Sequence, residues 1–147
     1  MKSIRVLLLA SLAPLALSSA ALYAADHGHG SHGAQAAELT KAQTKSLANY
    51  EGVRSALAAD DLDAAKRSAA NITGSEAARQ LSKAPSLNAA RVAFKKLSAD
   101  VIQLAKGHEG YYVANCPMAG SDWLQTNTRI GNPYLGRQMS TCGSIKN

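Results

Sequence analysis

Two thiols and two thioethers are gathered in one stretch of the chain, between Tyr111 and Gly143. Cys116-Pro117-Met118 lies near its start and Met139-Ser140-Thr141-Cys142 near its end. These are both cysteines of the protein and two of its three methionines. Thiolate and thioether are the soft side-chain ligands, which select Cu(I) over hard cations. Pro117 fixes the backbone between Cys116 and Met118 and has no N–H to donate, so it presets the turn carrying both sulfurs. Met139 and Cys142, three positions apart, share a face on one turn of helix. Brought together, the two pairs form a two-thiolate, two-thioether site that suits Cu(I) or Ag(I), whereas Zn(II) favours more thiolate or imidazole. His108, shortly upstream, is either a further ligand or the ordinary end of a helix beside Gly107.

The same residues have a second use. A Cys116–Cys142 disulfide would close residues 117–141 into a loop, worth roughly 3–4 kcal/mol in the chain-entropy estimate. Oxidation removes the thiolates that a soft metal needs, so the two states exclude each other and can alternate. Met118 and Met139 can serve as core filler as readily as ligands.

Further ligands lie far upstream. His27, His29 and His32 are separated by glycine and serine in Asp26-His27-Gly28-His29-Gly30-Ser31-His32-Gly33. That composition cannot build a core and reads as a flexible arm over residues 25–35. Imidazole suits Cu(II), Ni(II) and Zn. A chain beginning Ala25-Asp26-His27 would offer a square-planar nitrogen set from its amine, two amides and the third-position imidazole.

The N-terminus reads as an export signal over residues 1–24, with cleavage between 21 and 25. Lys2 and Arg5 precede an apolar run from Val6 to Leu17, and small residues follow. The run is too short and too rich in alanine for a spanning helix, so the expectation is a periplasmic protein not inserted in the membrane after processing. Its mature charge of about +4 is mild. The basic side chains are scattered without interleaved aromatics, which argues against nucleic acid. Two cysteines in an oxidising compartment keep the disulfide open as an alternative.

What remains, residues 36–147, is long enough for one domain with one core. Leu39, Leu47, Tyr50, Val53 and Leu57 mark one face of a first helix over 36–59. Asp60-Asp61 reads as a break and N-cap for a second, with Leu62, Ala65, Ala69 and Ile72 on one face and Gly74 at its end. Ser75 caps a short third helix that Pro85 stops. From Ser86, Leu87, Ala90, Phe94, Leu97, Val101 and Leu104 alternate threes and fours to Gly107. Asp60, Asp61 and Asp63 are assigned to capping and to complementing helix dipoles. The predicted fold is all-α: an antiparallel bundle of about four helices with an irregular C-terminal segment. That segment holds a short helix over 122–126 and folds back through Tyr112, Trp123, Ile130 and Tyr134. Asn132-Pro133-Tyr134 with Gly136 reads as a turn with an aromatic anchor.

The run Tyr-Val-Ala-Asn-Cys116-Pro117-Met118-Ala119, with Trp123-Leu124, Asn132-Pro133-Tyr134, Gly136 and Met139-Ser-Thr-Cys142-Gly143, resembles an uncharacterised periplasmic domain. That domain occurs alone and attached to membrane-fusion adaptors of copper/silver-type heavy-metal efflux systems. Upstream, Asn49-Tyr50 with Ala56-Leu57-Ala58-Ala59-Asp60-Asp61, and Ala93-Phe94-Lys95-Lys96-Leu97-Ser98, fit as well. One departure is the short Gly-Ser-Asp link between Ala119 and Trp123, where members carry a longer polar loop. The resemblance implies a metal-handling context and, as partner, a heavy-metal efflux adaptor or another periplasmic metal-handling protein.

No base stands at a motif spacing from a nucleophile, and no Cys-x-x-Cys, phosphate loop or haem-attachment motif is present. The expectation is therefore a non-enzymatic copper-binding protein, with Cu(I) at Cys116, Met118, Met139 and Cys142 and Cu(II) at the histidine arm. The alternative is a disulfide-stapled interaction module without metal.

Overall fold

A computed structural model describes residues 37–146. The expected signal peptide and the histidine arm lie outside the described residues. Four helices come first: α1 (Lys41–Ala58), α2 (Leu62–Ala70), α3 (Glu76–Ser82) and α4 (Leu87–Ala105). Three strands follow, β1 (Tyr112–Cys116), β2 (Ser121–Gln125) and β3 (Ser144–Ile145), with a short 3-10 turn at Arg137–Met139 before the last. The strands form one antiparallel sheet in the order β2-β1-β3. The architecture is thus mixed α and β, which corrects the all-α expectation. The helices are present as expected, and the segment read as irregular carries a three-stranded sheet, with residues 126–143 between β2 and β3 outside any strand.

Each helix begins where a side chain satisfies its free N–H groups. Thr40 and Gln43 form a reciprocal capping box, so α1 starts five residues later than its apolar periodicity suggests. Asp61, Ser75 and Ser86 accept from Ala64, Ala78 and Ala89 to start α2, α3 and α4. α2 ends at Ala70 with Asn71 as its C-cap, short of Gly74.

Asp60 does something other than cap. It sits in the left-handed region (φ 57°) just past the end of α1. The N–H groups of Asp60 and Asp61 close back on the carbonyls of Leu57 and Ala56, as in a left-handed helix terminus. Its carboxylate is then free to accept from the Arg137 N–H (3.0 Å) and from Arg91 on α4 (2.5 Å). Asp60 therefore joins α1, α4 and the C-terminal segment, which corrects its assignment to helix capping.

The core lies between the helices and one face of the sheet. Leu47, Tyr50, Val53 and Leu57 from α1 meet Ala65 and Ala69 from α2, Leu81 from α3, and Phe94, Leu97 and Val101 from α4. Trp123 of β2 is fully buried against them. Tyr50 stacks on Phe94 at 5.0 Å, Phe94 meets Tyr134 at 5.8 Å, and Tyr134 meets the edge of Trp123 at 6.0 Å. Trp123, Ile130 and Tyr134 thus fold against the helices as expected, but the inward tyrosine of the adjacent pair is Tyr111 and not Tyr112.

Of residues 122–126, expected as a short helix, 122–125 belong to β2 and Thr126 lies just past its end. Tyr50 explains why a strand is stable there. Its phenol bonds Ser98 (2.8 Å) and accepts the Leu124 N–H (3.0 Å), which occupies a donor on β2 away from its ladder with β1. Burial pushes the Tyr50 phenol up, so it stays neutral in this network.

Arg137 and Arg91 hold the Asp60 carboxyl below its ordinary value of 3.8. A carboxyl depressed in the folded state adds stability above its unfolded pKa, and that stability is lost as pH falls through the folded value. Asp60→Asn should lower the denaturation midpoint at neutral pH. It should also flatten the loss of stability below about pH 4 in urea titrations across pH.

Candidate functional site

Asn132 is the residue around which the sulfur cluster is arranged. It is fully buried, and the helices hold the backbone on both sides of it. Arg54 of α1 donates to the Gly131 carbonyl (2.7 Å) and Arg91 of α4 to the Pro133 carbonyl (3.0 Å). Arg54 is itself fixed by a two-pronged pair with Glu51. The Asn132 side-chain oxygen Oδ1 accepts the N–H groups of Tyr134 (2.8 Å) and Leu135 (3.2 Å). Its side-chain nitrogen Nδ2 donates to the carbonyl of Cys142 (2.8 Å), and the side chain also reaches the Cys116 sulfur.

Cys116 ends β1. Strand alternation places Ala114 and Cys116 on one face, and both are fully buried. The chain then reverses through residues 117–120 into β2, with the Gly120 N–H donating to the Pro117 carbonyl (3.2 Å) and Gly120 at φ 54°. That φ favours glycine. The turn brings the backbone N–H groups of Ala119 and Met118 back onto the Cys116 sulfur.

Cys142 arrives from the other end of the segment. Its N–H donates to the Met139 carbonyl (3.0 Å), closing the turn between them. Gly143 follows at φ 133°, where an added Cβ would lie 2.7 Å from the Asn115 carbonyl and 2.8 Å from the Trp123 ring. Only glycine allows the backbone this close to β1. β3 then pairs with β1 at Asn115↔Ser144 and Ala114↔Ile145.

These elements bring three sulfurs together. Cys116 Sγ and Cys142 Sγ stand 2.9 Å apart, and Cys142 Sγ lies 4.0 Å from Met118 Sδ. Both cysteines are free thiols. Met139 is joined to Cys142 through its backbone carbonyl, and among the described residues its sulfur makes no hydrogen-bond contact with either cysteine. The structure therefore brings together Cys116, Cys142 and Met118, while Met139 stands beside them. His108 is engaged elsewhere: its N–H closes α4 on the Ala105 carbonyl (3.1 Å), and it lines a groove with Tyr111, Asp122 and Lys146. His27, His29 and His32 lie outside the described residues, within which no three His, Cys, Asp or Glu side chains converge. The sulfur cluster is built from two cysteines and a methionine instead.

The thiols are electrostatically unequal. Burial raises the pKa of Cys116, but hydrogen bonds from the Cys142 thiol, the Ala119 and Met118 N–H groups and Asn132 outweigh it, and the net shift is downward. The Cys142 thiol is raised, first by its hydrogen bond to Cys116, then by burial and the neighbouring negative charge. The two thiols are thus shifted in opposite directions, the inner one lowered and the outer, half-buried one raised.

No known protein family, curated protein or solved structure matches the chain.

Two residues of this site, Asn132 and Gly143, carry no sulfur. Asn132 was legible only as part of an Asn-Pro turn, and Gly143 only as the neighbour of a cysteine. Asn132→Ala leaves the Cys142 carbonyl without its donor, so it should cost about 1–3 kcal/mol of stability. It should also move the first thiol ionisation of the reduced protein upward. Thiolate absorbance followed against pH reads that shift directly, and an unmoved first step would mean that Asn132 does not act on the Cys116 sulfur.

Proposed function

We propose that this domain binds one soft monovalent metal ion, Cu(I) foremost, between Cys116, Cys142 and Met118, and serves as an exported copper-sequestering or copper-delivering protein. The observation that carries the reading is the meeting of three sulfurs, from a hairpin turn and from the C-terminal tail, at one partly open point. Two thiolates and a thioether are a donor set for Cu(I) or Ag(I). A structural Zn(II) site would need a fourth ligand, and no cluster of three His, Cys, Asp or Glu side chains among the described residues offers one.

An ion held by three sulfurs, each about 2.3 Å away, would keep two of them about 4 Å apart. The present 2.9 Å separation must therefore widen on loading. Cys142 is the less confined partner, half-buried and ahead of a two-residue strand, whereas Cys116 is fully buried in β1, which is paired on both sides. The N–H groups of Met118 and Ala119 offset the charge of the inner thiolate. Met139 enters this reading as a neighbour and not as a ligand. The likeness of the Cys-Pro-Met and Met-x-x-Cys-Gly motifs to a domain of heavy-metal efflux systems supports delivery to an efflux adaptor or another periplasmic metal-handling protein. The histidine arm offers a separate Cu(II) site in the same proposal.

A second reading rests on the same sulfur–sulfur distance. At 2.9 Å the thiols need only a small approach to become a disulfide, and the domain would then be a cross-linked interaction module on an efflux adaptor. Anaerobic titration separates the two. The reduced protein with its histidine arm removed should bind one Cu(I) against a competing chelator. Cys116→Ser and Cys142→Ser should abolish binding, Met118→Leu should weaken it by about tenfold or more, and Met139→Leu should leave it unchanged. Failure of the reduced protein to hold Cu(I) leaves the cross-linked module as the function.

A further inference from the structure

The three sulfurs are graded in access. Cys116 is fully buried, Cys142 is half-buried, and Met118 is 69% exposed on the turn between β1 and β2. They are graded equally in how firmly they are held. The Cys116 sulfur is backed by the Ala119 and Met118 N–H groups and by Asn132, and its strand is paired on both sides. Cys142 is fixed through its backbone, by Met139 and Asn132. Met118 has the solvent on one side and, among the described residues, its sulfur's hydrogen-bond contact is Cys142 at 4.0 Å. The most exposed and least supported of the three is also the neutral one, a thioether beside two thiols, and so the weakest ligand to a cation.

From this order we propose that the site is built to give up its ion by ligand exchange on the Met118 side, to a thiol-bearing partner, with Met118 the first ligand displaced. This rests on the three-sulfur Cu(I) reading above. A thiolate of the partner forms a Cu–S bond as the Cu–Sδ bond to Met118 breaks. The ion remains Cu(I) throughout, so no electron donor or acceptor is needed. A second partner thiolate replaces Cys142, and Cys116 leaves last. Each cysteine takes up a proton from solvent on release, matching the proton that each incoming thiol lost. The partner class follows from the chemistry: it presents two soft sulfur donors on a segment narrow enough to reach a single hairpin turn.

The geometry also separates delivery from storage. A buried three-sulfur site would release its ion only by opening spontaneously, at a rate independent of the acceptor. An exposed thioether gives an acceptor direct access to the ion before the protein lets go.

Stopped-flow exchange tests this on the reduced protein, loaded with one Cu(I) and lacking the histidine arm. Glutathione is the thiol acceptor, and bicinchoninate at fixed concentration is the coloured trap for what glutathione removes. The release rate should rise in proportion to glutathione. Met118→Leu should release several-fold faster at every glutathione concentration, because the position that exchange must open is already vacant, and this exposed substitution leaves the core untouched. Met139→Leu should match the wild type. A release rate that does not change with glutathione, or a Met118→Leu rate equal to or below that of the wild type, would overturn the inference while leaving the Cu(I) site standing. Failure of the protein to load would remove the Cu(I) reading and this inference together.

Discussion

Arg54 and Arg91 grip the carbonyls of Gly131 and Pro133, and most of the site follows from that grip. Between those two anchored carbonyls Asn132 has nowhere to turn. Its side chain organises the Tyr134–Leu135 backbone with its oxygen and holds the Cys142 carbonyl with its nitrogen. An amide buried this deeply must spend its donors and acceptors on specific partners, and here one of those partners is the backbone of Cys142. The helices are therefore more than a platform. α1 and α4 reach through their arginines to fix a loop that contributes no ligand itself, and that loop places the cysteine delivered by the tail.

The sheet supplies the other half. β1 and β2 form a hairpin whose closing turn carries Met118, and β3 adds to the free edge of β1 only because Gly143 lets the chain approach it. Cys116 is thus set from inside the fold and Cys142 from its end, which gives the pair its inequality. One thiol is buried, hydrogen-bonded and depressed in pKa, and the other is half-exposed and raised. A symmetric pair would favour a closed cross-link or a closed cage. An unequal pair with an exposed thioether beside it favours an ion that arrives and leaves from one side.

The helical half of this arrangement was legible in the sequence because each helix announces itself twice, by apolar period and by cap. Ser75 and Ser86 fall where expected, and Leu87 to Leu104 traces the buried face of α4. The apolar period of α1 runs back past its true start at Lys41, because alanines extend it beyond the cap that Thr40 and Gln43 form. The sheet was not legible in the same way. In β2 Leu124 is buried as well as Ser121, Trp123 and Gln125, so Ser121 to Gln125 shows no clean alternation, and Asp122 imitates a helix start. The better signal was Pro117 and Gly120 bracketing a short link next to Trp123, a hairpin pattern with an aromatic strand residue. The sulfurs themselves were visible as a group, but Met139 could not be told from Met118. Both stand close to a cysteine in sequence, and only the turn around residues 117–120 points one of them at the pair.

The chemistry rests on how many sulfurs a bound ion would meet. X-ray absorption at the copper edge, on reduced protein loaded with one Cu(I) and lacking the histidine arm, counts them directly. The account predicts a first shell of three sulfurs in wild type, falling to two in Met118→Leu and staying at three in Met139→Leu. A shell containing nitrogen or oxygen, or a sulfur count unaffected by Met118 and reduced by Met139, would contradict it.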